Sequence, residues 1–136
     1  MIHSPNKANA YRQVATQTAS PGQLILMLFD GAINFLERAQ HGFAYDDPLA
    51  FNQTIHVNVQ RAQAIIHELN SSLNMEAGGQ LSTTLRRLYD YFDRRLEQSN
   101  RLKQPHGIRE VIRWLKILRT AWAEMLQKQT PAAANG

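Results

Sequence analysis

The chain has 136 residues, of which 43% are apolar and 19% charged, a balance that fits one globular domain and excludes a disordered chain. Fifteen Lys and Arg against eleven Asp and Glu leave a formal charge of +4, which admits acidic partners without demanding them. The absence of cysteine excludes disulfides, thiolate metal or Fe–S ligation, covalently attached c-type haem and a cysteine nucleophile; with no apolar run like a signal peptide's or a membrane span's, a soluble cytoplasmic protein without membrane insertion is expected.

Residues 1–19 are polar, with only Ile2, Tyr11 and Val14 as sizeable apolar groups, and read as a flexible N-terminal segment. Ser20-Pro21 then supplies an N-cap followed by proline at the first helical position, and Gln23 completes a capping box. This predicts a helix to about residue 40, stopping near Gly42. Asp47-Pro48 repeats the signal and opens a second helix to about residue 72. Residues 74–79, with Gly78-Gly79, form a turn. A third helix is predicted over about 80–102, a break at 105–107, and a fourth helix over about 108–128. The bundle domain is thus expected over 20–128, with a disordered small-residue tail at 129–136.

Apolar spacing supports helices rather than strands. Phe51, Ile55, Val59, Ala62, Ile66 and Leu69 recur at steps of three and four, as do Leu81, Leu85, Leu88, Phe92 and Leu96. In the fourth helix Ile108, Val111 or Ile112, Leu115, Leu118, Trp122 and Met125 share a face. Helices of about 20 residues joined by short turns predict an all-α fold, an antiparallel up-down-up-down four-helix bundle.

Chemical motifs are scarce. Five histidines are present, but no glutamate has a histidine three residues later, so a di-iron bundle site is not expected; the stripe of His56 and His67 reads as solvated surface. Phosphate-binding, dinucleotide and nucleophile-elbow motifs are missing, and no cofactor, metal or catalytic residue is assigned. Asp90, Asp93 and Glu97, set among Arg86, Arg87, Arg94 and Arg95, read as intrahelical salt bridges. Arg101, Lys103, Arg109, Arg113, Lys116 and Arg119 form a basic run, and Arg109, Arg113 and Lys116 share one stripe. That run supports an alternative reading, a basic nucleic-acid-binding bundle. A solvated face or a patch for an acidic protein is the preferred reading, with no nucleic-acid partner.

The anomaly is surplus hydrophobicity. Residues 24–29 are apolar all round. If Leu24, Leu28, Ala32, Phe35, Leu36 and Ala39 face the core, then Leu26, Phe29 and Ile33 form a second stripe turned away from it. Trp114, Ile117 and Ala121 repeat that spacing beside the core face of the fourth helix. Two extra stripes and a loose tail point to a site for an amphipathic partner helix, with Tyr11 and Val14 as a movable cover.

The ordered set Tyr11-x-x-Val14-x-Thr16, the run from Ser20 to Leu36, Ala64-Ile65-Ile66-x-Glu68-Leu69, the run from Ser72 to Gly79, and Leu88-Tyr89-Asp90-Tyr91 resembles the signature of the flagellin export chaperone family, FliS. The resemblance covers about residues 6–125. Phe29 stands where that family usually has tyrosine, Gln80 where an acid is frequent, and Phe92 where methionine is frequent. The resemblance implies a non-catalytic cytoplasmic chaperone that binds the C-terminal segment of flagellin, prevents premature polymerisation, and delivers it to a component of the flagellar export apparatus.

Overall fold

The computed structural model describes residues 19–135, with side chains to Gln129. Four helices make up the fold: α1 (Pro21–Gly42), α2 (Pro48–Ser71), α3 (Gly79–Leu102) and α4 (His106–Asn135). No strand occurs among the described residues. The first two starts are the ones the caps predict. Ser20 Oγ accepts from the Gln23 amide at 3.2 Å while Gln23 Oε1 accepts from the Ser20 amide at 3.4 Å, closing the capping box. Asp47 Oδ2 accepts from the Ala50 amide at 2.8 Å. These bonds satisfy amide donors that have no partner within the helix.

The third start is built differently. Gly78 has no side chain to cap with, and Ser82 crowds it so closely that a Cβ there would fall 1.8 Å from the Ser82 hydroxyl. That hydroxyl donates instead to the Asn74 carbonyl at 2.9 Å, folding the turn onto the first turn of α3. At the other end of α3, Lys103 takes the left-handed conformation (φ 52°), and its ammonium donates to the Asn100 carbonyl at 2.7 Å. A cation on the last carbonyls of a helix also meets the negative end of its dipole. α4 begins two residues before the predicted start and continues to Asn135, past the predicted end near 128.

Sequential neighbours pack together, and α4 returns to pack on α1, so the helices form a four-sided antiparallel bundle. Leu36, Ile55, Ile66, Leu69, Phe92, Leu96, Ile108 and Leu115 are the large, fully buried side chains at its centre. Each such group contributes about 1.5–3 kcal/mol by leaving water. On α2 the predicted face is the observed one: Ile55, Val59, Ala62, Ile66 and Leu69 are buried, and Phe51 is half-buried against them.

Three expectations are corrected. On α1, Phe29 and Ile33 are core residues, 2% and 6% exposed, and Leu26 is half-buried. The core arc is centred on Phe29 and Leu36, while Leu28 and Phe35 are only partly buried at its edge. The cause is the second neighbour. α1 packs on both α2 and α4, and the Leu26–Phe29–Ile33 side lies toward α4, where Asp30 and Glu37 on the same flank pair with Arg119 and Lys116. On α3, Leu81 is 67% exposed rather than core, and Tyr89 is buried instead. The α3 carboxylates also reach across rather than along the helix: Asp93 Oδ1 meets Gln63 Nε2 at 3.2 Å and His67 Nε2 at 3.1 Å of α2, and Asn70 donates to Asp90 at 3.1 Å. They serve the α2–α3 seam because antiparallel packing brings the polar flank of α2 closer than the next helical turn.

Candidate partner-binding groove

The seam between α3 and α4 is divided into two halves of opposite character. In the half nearer their connection, Tyr91 Oη donates to Glu110 Oε2 and Arg95 Nε donates to Glu110 Oε1, both at 2.7 Å. These bonds, the first of them foremost, hold the Glu110 carboxyl below the ordinary carboxylate value of 4.5. Among the described residues the other half has no polar clasp. There the helices part around an apolar cavity of about 440 Å³. Leu81, Leu85 and Tyr89 line it from α3, and Leu118, Ala121, Trp122 and Met125 from α4. Ile25, Phe29, Leu69 and Leu73 complete it from α1, α2 and the turn after α2. Ser72, Asn74 and Ser82 are the short polar side chains among the lining residues.

The other flank of α4 explains why the opening lies on the α3 side. Trp122 Nε1 donates to the Gly22 carbonyl at 2.8 Å, and a Cβ on Gly22 would stand 2.5 Å from Leu126 Cδ2. α4 is therefore close against the first turn of α1, with the Leu126 side chain lying over Gly22. Lys116 pairs with Glu37 at 3.2 Å and Arg119 with Asp30, closing the rest of that seam. A second hollow at this end, lined by Ser20, Pro21, Trp122, Met125 and Gln129 among others, shares Trp122 as a wall with the groove.

Ile117 is 58% exposed, and Trp114 and Ala121 are also exposed, on the outer flank of α4. Ala121 lines the groove, and Ile117 and Trp114 follow at one-turn intervals, so their stripe leads out of it. Phe29 reaches the groove only as part of its floor, and Ile33 is enclosed. Leu26 does not line it. Tyr11 and Val14 lie outside the described residues. The α3 wall (Leu81, Leu85 and Tyr89) escaped the sequence reading because its spacing is that of an ordinary core stripe. The available signal was that this stripe continues into the first turn of the helix, where a bundle leaves its ends open.

The basic run is not one continuous patch. Lys116 and Arg119 pair with acids of α1, and Lys103 caps α3, which leaves Arg101, Arg109 and Arg113 as its exposed cations without such a contact. No group of three His, Asp or Glu residues is placed to hold a metal ion among the described residues, and no helix there is long and apolar enough to cross a membrane.

The clasp carries a pH prediction. A carboxyl whose folded pKa is depressed contributes stability that is complete above its unfolded value and lost as pH falls through its folded value. Glu110→Gln should lower stability at neutral pH and flatten the loss below about pH 4.5. Urea midpoints of both proteins across that range check it; parallel curves would show that Glu110 contributes nothing to the acid limb.

A sequence model described as flagellar protein FliS matches residues 4–129. The flagellar secretion chaperone FliS of Bacillus subtilis is 36% identical over 124 residues, covering 91% of this chain and 89% of that protein. The flagellar secretion chaperone FliS of Salmonella typhimurium is 35% identical over 131 residues, covering 93% and 95%, and that of Escherichia coli 33% over 130 residues, covering 92% and 93%. With a four-helix bundle beneath a match of this extent, the chain belongs to the FliS family of flagellar proteins.

Proposed function

We propose that this protein is a cytoplasmic, non-enzymatic export chaperone that seats an amphipathic helix from the C-terminal segment of flagellin in the α3–α4 groove. There it keeps the subunit from polymerising until it is delivered to the flagellar export apparatus. The observation that carries this reading is the half-open seam: an apolar cavity at the end of an otherwise well-buried bundle, with Leu81 67% exposed at its side and a stripe leading out along α4. A monomer that leaves such a surface uncovered sacrifices solubility, which a client that must hide its own apolar face makes worthwhile. The relatives named flagellar secretion chaperones support the same role.

From Leu118 to Met125 the α4 wall is about 10 Å long, enough for two turns of a client helix. Beyond Ala121, Ile117 and Trp114 would extend the contact, and Tyr11 and Val14, which precede α1 in the sequence, would cover the groove between clients. Binding couples burial to folding of a segment unstructured on its own, so affinity comes from apolar area minus ordering entropy. Calorimetric titration with a synthetic C-terminal flagellin peptide tests the reading. A large negative heat-capacity change with little dependence on salt is expected. Absence of binding, or binding that fades steeply with salt as for phosphate contacts, would overturn it.

A further inference from the structure

The groove holds a phenol that its apolar character does not explain. Tyr89 is 3% exposed, its ring set edge-on against Phe92 at 6.2 Å between centroids, and it lines the cavity from α3. Its hydroxyl has no hydrogen-bond partner among the described residues. Among the described residues the sealed side-chain atoms without partners are Asn58 Oδ1 and Ser99 Oγ, and neither residue lines this cavity. Tyr89 differs from both in that it lines the cavity. Tyr91, two residues on, shows the contrast: its hydroxyl is spent on Glu110.

We infer that Tyr89 is a specificity-determining residue of the groove, its hydroxyl pairing with a polar side chain set within the apolar face of the client helix. This rests on the groove being the client site. A phenol both donates and accepts, so the best-matched group is a primary amide, Asn or Gln, which offers a carbonyl and an NH₂ in one plane. Burial pushes the Tyr89 pKa up to about 12, so the hydroxyl keeps its proton throughout the physiological range and remains a donor. Apolar grooves bind helices in several registers with similar affinity, because burial is non-directional. One hydrogen bond at a fixed depth selects among them, since any other register leaves a buried polar group unpaired.

The test is Tyr89→Phe, which keeps the ring and removes only the hydroxyl. In the free protein the hydroxyl has no bond to lose, so the variant should melt at or above the wild-type temperature. Affinity for the C-terminal flagellin peptide should fall about three- to tenfold, the range of one hydrogen bond. A scan replacing each Asn and Gln of the peptide by Leu should then find one position that weakens the wild type and leaves the variant unaffected. Equal binding of every peptide by both proteins overturns the role of the hydroxyl while leaving the groove as the client site. A lower melting temperature also overturns it, by showing that the hydroxyl is bonded within the free fold. Failure of the wild type to bind any peptide overturns the client reading and this inference with it.

Discussion

Ile33→Asp should leave the protein unfolded, or destabilised by at least about 3 kcal/mol, the cost of a buried charge with no partner. Ile33 sits on the α1 flank that faces α4, 6% exposed, beside the Asp30–Arg119 and Glu37–Lys116 pairs. A new carboxylate there would have to open the α1–α4 seam to reach water, and would compete with Asp30 and Glu37 for the two cations. Circular dichroism melting checks it. A variant that melts cooperatively within a few degrees of the wild type would show that Ile33 is not core.

Leu81→Asp should have the opposite profile: a stable protein that no longer binds. Leu81 is mostly exposed in the first turn of α3, a turn that carries no acidic residue. An aspartate there loses little buried area and meets the positive end of the helix dipole, so stability should change by no more than about 0.5 kcal/mol. In the proposed complex the same carboxylate would lie in the apolar wall beneath the client helix. Desolvating it should weaken binding at least tenfold, about 1.4 kcal/mol or more. Calorimetry with the flagellin peptide measures this, with thermal melting as the control for folding. Undiminished affinity would place the client elsewhere.

The two substitutions mark how far the sequence could be read. Helix starts at Ser20 and Asp47 were visible because capping is a local chemistry of side chain and nearby amide. The start of α3 was less so, since Gly78 caps nothing and serves by leaving room for Ser82. The α2 face was clear because a narrow stripe is bounded on both sides by polar residues. On α1 six consecutive apolar residues left its rotation open, and only the partners of Asp30 and Glu37, contributed by α4, fix it. The carboxylates of α3 could not be assigned to Gln63, His67 and Asn70 without the antiparallel register. The groove was half visible: Ala121, with Ile117 and Trp114, stood out as surplus, but Leu81, Leu85 and Tyr89 carry no mark of exposure in their spacing. Their place in a groove wall comes from the parting of α3 and α4 beyond the Glu110 clasp, a property of two helices together.

The most direct measurement is an NMR titration of the ¹⁵N-labelled protein with the C-terminal flagellin peptide. The two tryptophans both lie on α4, Trp122 in the groove wall and Trp114 on the stripe leading from it, so their indole N–H signals report on the site independently of the backbone. If the half-open α3–α4 seam is the client site, the amides around Leu81, Leu85, Leu118 and Ala121 and the Trp122 indole should shift together and saturate with the peptide. Shifts confined to the outer faces of α1 and α2, with those signals unmoved at saturation, would contradict the account.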